Sequence, residues 1–165
     1  MTLSTADRIT VRKGDDIQET LILALGNTLR GDDGAGAAVL DALGGNLPPG
    51  VVVVDGGTPG LTTVLLMEGY RRVIIVDAAD MGLEAGAWRR FGPEALSGGD
   101  LRDIGTLHDA GLAEALELGR ALGVLPADIV IYGIQSAEIG WEEGLSAPVQ
   151  QAVPAVALEI LGEVS

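Results

Sequence analysis

The sequence contains no cysteine, which removes disulfides, thiolate metal ligands and cysteine nucleophiles together. Any metal it meets must be held by oxygen or imidazole. Aromatic residues make up only 3% of the 165, so the core has to be built from Ala, Val, Leu and Ile. Positive charge is also scarce: 10 Lys and Arg stand against 24 Asp and Glu, a net charge of −14. Such a surface repels a phosphate backbone or an anionic membrane surface, so neither nucleic acid nor a membrane is an expected partner. No apolar run reaches the roughly 18 residues of a membrane span. The amino-terminal stretch has neither an apolar secretory core nor the Arg-rich pattern of organelle import. These features lead us to expect a cytoplasmic protein in which residues 1–20 form a disordered leader and residues 21–165 a single domain, which the length and the 47% hydrophobic content support.

Four short apolar runs stand out: Leu21 to Leu25, Val51 to Val54, Val73 to Val76 and Ile129 to Tyr132. Each has the length and continuity of a strand buried on both faces. Between and after them lie stretches with helical spacing, such as Leu112, Ala115, Leu116, Gly119 and Leu122, or Val149, Ala152, Val153, Val156 and Ile160. Alternating strands and helices predict a three-layer α/β/α fold, with a mostly parallel twisted sheet of about five strands and helices on both faces. The more polar run Ala87 to Phe91 suits an edge strand, with an antiparallel direction open to it. Pro154, inside the last helical pattern, is expected to kink that helix or to mark its start. No exposed apolar stripe emerges, so a monomer is the default.

In open parallel sheets ligands gather outside the carboxyl ends of the strands, and three of the four runs are followed by aspartate. The first leads into Gly26-Asn27-Thr28-Leu29-Arg30-Gly31-Asp32-Asp33-Gly34-Ala35-Gly36, the second into Asp55-Gly56-Gly57-Thr58-Pro59-Gly60, the third into Asp77-Ala78-Ala79. The first loop is not a dinucleotide fingerprint, because its glycines fall in the wrong order and two acids would face a pyrophosphate. Either Asp32 or Asp33 could cap the helix expected from about Gly34 to Leu43, although capping needs only one of them. For Asp55 we expect a turn-bonding role. Asp77 is followed by small residues that would leave its carboxylate open. His108, the only histidine, precedes a helix; imidazole beside two carboxylates would suit nickel or zinc, or serve as a general base near neutral pH. A serine triad is disfavoured, since there is no G-x-S-x-G elbow. An acid pair sharing acid and base roles stays open, as does a small-molecule site in the glycine-rich loop.

Together these motifs resemble the hydrogenase maturation endopeptidases, which trim the large subunit of nickel-iron hydrogenases. The resemblance rests on Gly26-Asn27-x-Leu29-x-x-Asp32-Asp33-Gly34-x-Gly36, Asp55-Gly56-Gly57-Thr58-x-Gly60, Val76-Asp77-Ala78, Leu107-His108 with Gly111-Leu112, and Gly133 to Ile139 followed by Trp141 and Leu145-Ser146. It implies an endopeptidase that removes the carboxyl-terminal extension of a nickel-loaded large-subunit precursor, with Asp33, Asp77 and His108 as the catalytic and nickel-contacting residues. Asn27, Asp32 and Asp55 would support them. Nickel would arrive with the precursor, and no tightly bound cofactor of the enzyme's own is expected. A noncatalytic nickel-dependent chaperone that binds the same precursor is the alternative.

Overall fold

The structure, a computed structural model, describes residues 18–97, 111–137 and 143–165. Five strands, β1 (Gln18–Ala24), β2 (Val51–Asp55), β3 (Tyr70–Ala79), β4 (Trp88–Phe91) and β5 (Asp128–Gln135), form one sheet in the order β2-β1-β3-β5-β4. All pairings are parallel except β4 with β5, which is antiparallel. The expected fold class holds, including the polar edge strand. Strand β1 takes in Gln18, whose partner is Tyr70, and so starts before the apolar run that was expected to open the domain.

Among the described residues five helices cover the sheet: α1 (Ala35–Leu43), α2 (Leu61–Met67), the short α3 (Glu94–Ser97), α4 (Gly111–Leu122) and α5 (Ala147–Val164). Strand residues alternate between two cores, as the period of two requires. Ile22, Ile74, Val76, Val130 and Tyr132 pack with α1 and α5 on one face. On the other, Leu21, Leu23, Val73, Ile75 and Ile131 pack with Met67 of α2 and with Leu112 and Leu116 of α4. The central strands carry unbroken apolar runs, Leu21 to Ala24 in β1 and Val73 to Val76 in β3, because both faces are covered there.

Helix α5 starts at Ala147, with Pro148 in its first turn, and runs through Pro154, so Pro154 does not mark its start. Pro154 and Gln150 are both exposed, which leaves the carbonyl that lost its donor open to water. A helix-interior proline costs about 3 kcal/mol. Six buried side chains or Cβ atoms on this helix, from Val149 to Ile160, outweigh it, at roughly 1.5–3 kcal/mol for each large aliphatic. At the far edge Arg72 and Arg90 both bind the Glu163 carboxylate, at 3.4 and 2.5 Å, and tie the end of α5 to β3 and β4. Among the described residues no helix is long and apolar enough to cross a membrane.

The connections set the geometry of the next section. After β1 the chain crosses one face through α1 to reach β2; after β2 it crosses the other face through α2 to reach β3, on the opposite side of β1. The strand order therefore reverses between β1 and β3, the switch point above whose carboxyl ends open parallel sheets place their ligand crevice.

Candidate active site at the strand ends

The loop that leaves β1 is held by its own backbone and by its acids. Leu25 donates its N–H to the Val76 carbonyl at 3.0 Å, which extends the β1–β3 pairing one residue past the strand. Gly26 then turns the chain at φ +117°, where a Cβ would lie 2.0 Å from the Asp33 carbonyl oxygen; no other residue fits there. The Gly26 N–H donates to the Gly57 carbonyl at 2.9 Å and the Gly56 N–H to the Ala24 carbonyl at 2.7 Å, so the loops after β1 and β2 are tied together.

Inside the first loop, Asn27 Oδ1 accepts the Leu29 N–H at 2.9 Å and Asp33 Oδ2 accepts the Asn27 N–H at 2.8 Å. Both aspartates sit in the 3-10 turn Gly31–Gly34, are almost fully buried, and diverge. Asp33 reaches back over the loop. Asp32 reaches away, accepting the Ser146 N–H at 2.7 Å on Oδ1, and the Ser146 hydroxyl and the Ala137 N–H at 2.8 Å each on Oδ2. Neither caps α1, whose N-cap is Gly34 without a side-chain bond. The intervening 3-10 turn consumes the residues that a cap would need. Gly36 explains the last glycine of this motif: a Cβ there would stand 2.6 Å from the Val76 carbonyl oxygen and 2.9 Å from that of Leu25. The start of α1 thus lies directly on the ends of β1 and β3.

Asp77 is fully buried near the end of β3, opposite Gly133 of β5. By alternation it shares the face of Val73 and Ile75, the face covered by α2 and α4. The turn that carries Asp32 and Asp33 also touches β3, so Asp33 and Asp77 come from the two strands that flank the crevice. Asp55 ends β2, one strand farther out, and its Oδ1 accepts the Gly57 N–H at 3.2 Å. His108 lies outside the described residues. The helix that follows it begins at Gly111, where a Cβ would sit 3.4 Å from Pro59 Cβ and O, so α4 starts against the second loop. Among the described residues no group of three or more His, Cys, Asp or Glu side chains forms a metal site.

Two contributors were not assigned a role from sequence. Ser146 supplies two donors to Asp32, its N–H and its hydroxyl. Gln135, buried at the end of β5, accepts the N–H groups of Met81 and Leu83 at 2.6 and 3.2 Å and donates to Asp80 Oδ1 at 3.2 Å, which fixes the loop after β3. Both lie in the closing motif, but a polar residue near a strand end or a helix start carries no signal of its distant partner.

The family model for hydrogenase maturation proteases matches residues 39–163, a span that holds Asp55, Asp77 and His108 and starts after Asp33. The chain belongs to the hydrogenase maturation protease family. It is 31% identical over 138 residues to the hydrogenase expression/formation protein HupD of Rhizobium leguminosarum bv. viciae, covering 82% of this chain and 68% of that protein. Among solved structures it resembles a hydrogenase 2 maturation peptidase from a Thaumarchaeota archaeon, with a TM-score of 0.67 and 30% identity, covering 89% of this chain and 98% of that one. The hydrogenase maturating endopeptidase HybD of Escherichia coli has the same fold, with a TM-score of 0.76 at 24% identity, covering 88% and 91%. This maturation protease is accordingly an endopeptidase of hydrogenase assembly, a family that acts on the large-subunit precursor.

Proposed function

We propose that the enzyme removes the carboxyl-terminal extension of a nickel-iron hydrogenase large-subunit precursor after nickel has been loaded, and that Asp33, Asp77 and His108 contact that nickel. The observation behind this reading is the origin of Asp33 and Asp77 from the two strands that flank the crevice, each nearly excluded from solvent. Carboxylate oxygens are suitable ligands for a divalent cation, and one that arrives with the substrate would add to the partners these side chains already have, the Asn27 N–H for Asp33 among them. Two carboxylates and an imidazole are few enough ligands to leave coordination positions for the precursor's own groups, so the metal would stay with the precursor while the enzyme touches it. Cleavage would then follow only from a completed metal centre. The hydrolytic step adds water to the scissile carbonyl and releases the extension as a free peptide; a nickel-polarised carbonyl and a carboxylate-activated water are both chemically consistent with this ligand set.

Mass spectrometry of the precursor's carboxyl terminus tests the reading. Incubation with enzyme is expected to shorten the nickel-loaded precursor and to leave the nickel-free form intact. A stable complex with an intact terminus would instead identify a chaperone and overturn the proposal.

A further inference from the structure

Six large apolar side chains are exposed among the described residues, and four of them belong to the two helices, α2 and α4, that cover one face of the sheet. Leu29 is on the first loop, Leu61 and Leu65 on α2, and Leu118 and Leu122 on α4. The sixth, Leu158, is on α5, across the sheet. The α2 and α4 leucines are one helical turn apart within each pair, so each pair forms a short ridge. The two ridges border a common seam, because a Cβ at Gly119 of α4 would meet Val64 of α2 at 3.5 Å and one at Gly111 would meet Pro59 at 3.4 Å. The seam runs from the carboxyl end of the sheet, where Leu61 opens α2, toward Leu122.

Leu29 stands on the first loop, which the bond from the Gly26 N–H to the Gly57 carbonyl ties to the loop that leads into α2. It is more than half exposed, although its backbone is held firmly: its N–H binds Asn27 Oδ1, and the same loop is closed by the bond from Asn27 to Asp33. A loop built this rigidly could have buried an apolar tip. It presents the tip outward instead, beside the buried acid. Exposed apolar surface that is continuous with a catalytic crevice marks the place where a macromolecular partner sits.

We infer that the leucine strip of α2 and α4, together with Leu29, is the docking face for the folded body of the large-subunit precursor. This rests on the peptidase reading above. The occupant follows from continuity with the crevice: a protein whose cleavage site reaches Asp33 and Asp77 has to cover the loop tip at Leu29 and the start of α2. The strip extends that footprint along one side only, which sets the orientation in which the precursor approaches.

The test uses full-length enzyme and purified nickel-loaded precursor. Leu61→Glu and Leu65→Glu, both at exposed positions, are expected to raise KM for cleavage about tenfold while kcat stays within twofold of the parent. Leu158→Glu on the opposite face is expected to leave both unchanged. A photo-crosslinking amino acid at position 65 is expected to capture the precursor, and one at position 158 is not. An unchanged KM in both helix variants, or equal capture from positions 65 and 158, would overturn the assignment. If the parent enzyme fails to cut the precursor, the peptidase reading falls, and crosslinking from position 65 still decides whether this face binds it.

Discussion

Asp32 grips Ser146 across 114 positions of sequence, accepting both its N–H and its hydroxyl. This clasp joins the first loop to the start of α5 and leaves the neighbouring Asp33 to face the other way. Two adjacent acids with identical side chains thus have separate tasks, one closing the fold and the other placed at the crevice.

Asp32→Asn replaces one of the two acceptor oxygens with an amide donor that meets a donor already in place. We expect a loss of about 1.5–3 kcal/mol, the range for hydrogen bonds to a charged group, measured by urea denaturation. Ser146→Ala removes only the hydroxyl and should cost about 1 kcal/mol. Equal stability of Asp32→Asn and the parent would show that the clasp is dispensable.

Gly36→Ala should destabilise the protein by about 1–3 kcal/mol, the usual range for overpacking, because the added methyl meets two backbone carbonyls that cannot rotate away. Gly162→Ala, where a Cβ meets nothing within 4 Å, is the matched control and should not destabilise. Thermal melts of the two variants check the contrast.

Pro154→Ala restores an N–H donor to the middle of α5 and is expected to stabilise the protein by about 1–3 kcal/mol. Differential scanning calorimetry should show a higher Tm. A lower one would mean that the proline ring itself is needed for the packing of this helix.

Burial raises the Tyr132 hydroxyl far above an ordinary tyrosine, and the neighbouring Glu163 carboxylate raises it further. The sign for stability follows. The neutral form is favoured in the fold, so this contribution is fully present below the ordinary tyrosine pKa of about 10 and declines as pH climbs from there toward the folded value. In a Tyr70→Phe background, ultraviolet titration of the remaining tyrosine should show ionisation only together with alkaline unfolding. Free titration in the folded protein near the ordinary value would contradict this.

Much of the fold could be read in advance because its signals are local. Runs such as Val73 to Val76 announce strands covered on both faces, and the stripe of Leu112, Ala115, Leu116 and Gly119 announces α4, although Leu122, which continues the spacing, is exposed. Helix α2 was not foreseen, since Leu61-Thr62-Thr63-Val64 is rich in β-branched residues and seven residues are too few to show a period. Its start is fixed instead by Thr63, whose N–H donates to the Gly60 carbonyl and whose hydroxyl accepts the Gly60 N–H. Of the two readings of Pro154, the helix start failed for a related reason: the local penalty is visible in the sequence, while the buried face that offsets it is a property of the packed domain. At the site, the place of Asp77 near the end of β3 was legible from hydrophobicity, but its carboxylate, expected to stand open beside Ala78 and Ala79, is fully buried, because the strand runs on to Ala79 with both faces covered. The division of labour between Asp32 and Asp33 was not, because it depends on Ser146 and Ala137, more than a hundred positions away.

The central claim, that Asp33, Asp77 and His108 reach the precursor's nickel, is tested most directly by X-ray absorption at the nickel edge. The spectrum of nickel-loaded precursor would be compared with that of its complex with the enzyme, trapped with a precursor whose scissile bond is blocked. The account predicts that nickel gains light oxygen or nitrogen neighbours on complex formation, and that Asp33→Asn, Asp77→Asn and His108→Ala each diminish the gain and abolish cleavage of the unblocked precursor. A nickel environment unchanged by the enzyme, with Asp77→Asn cutting at the parental rate, would contradict it.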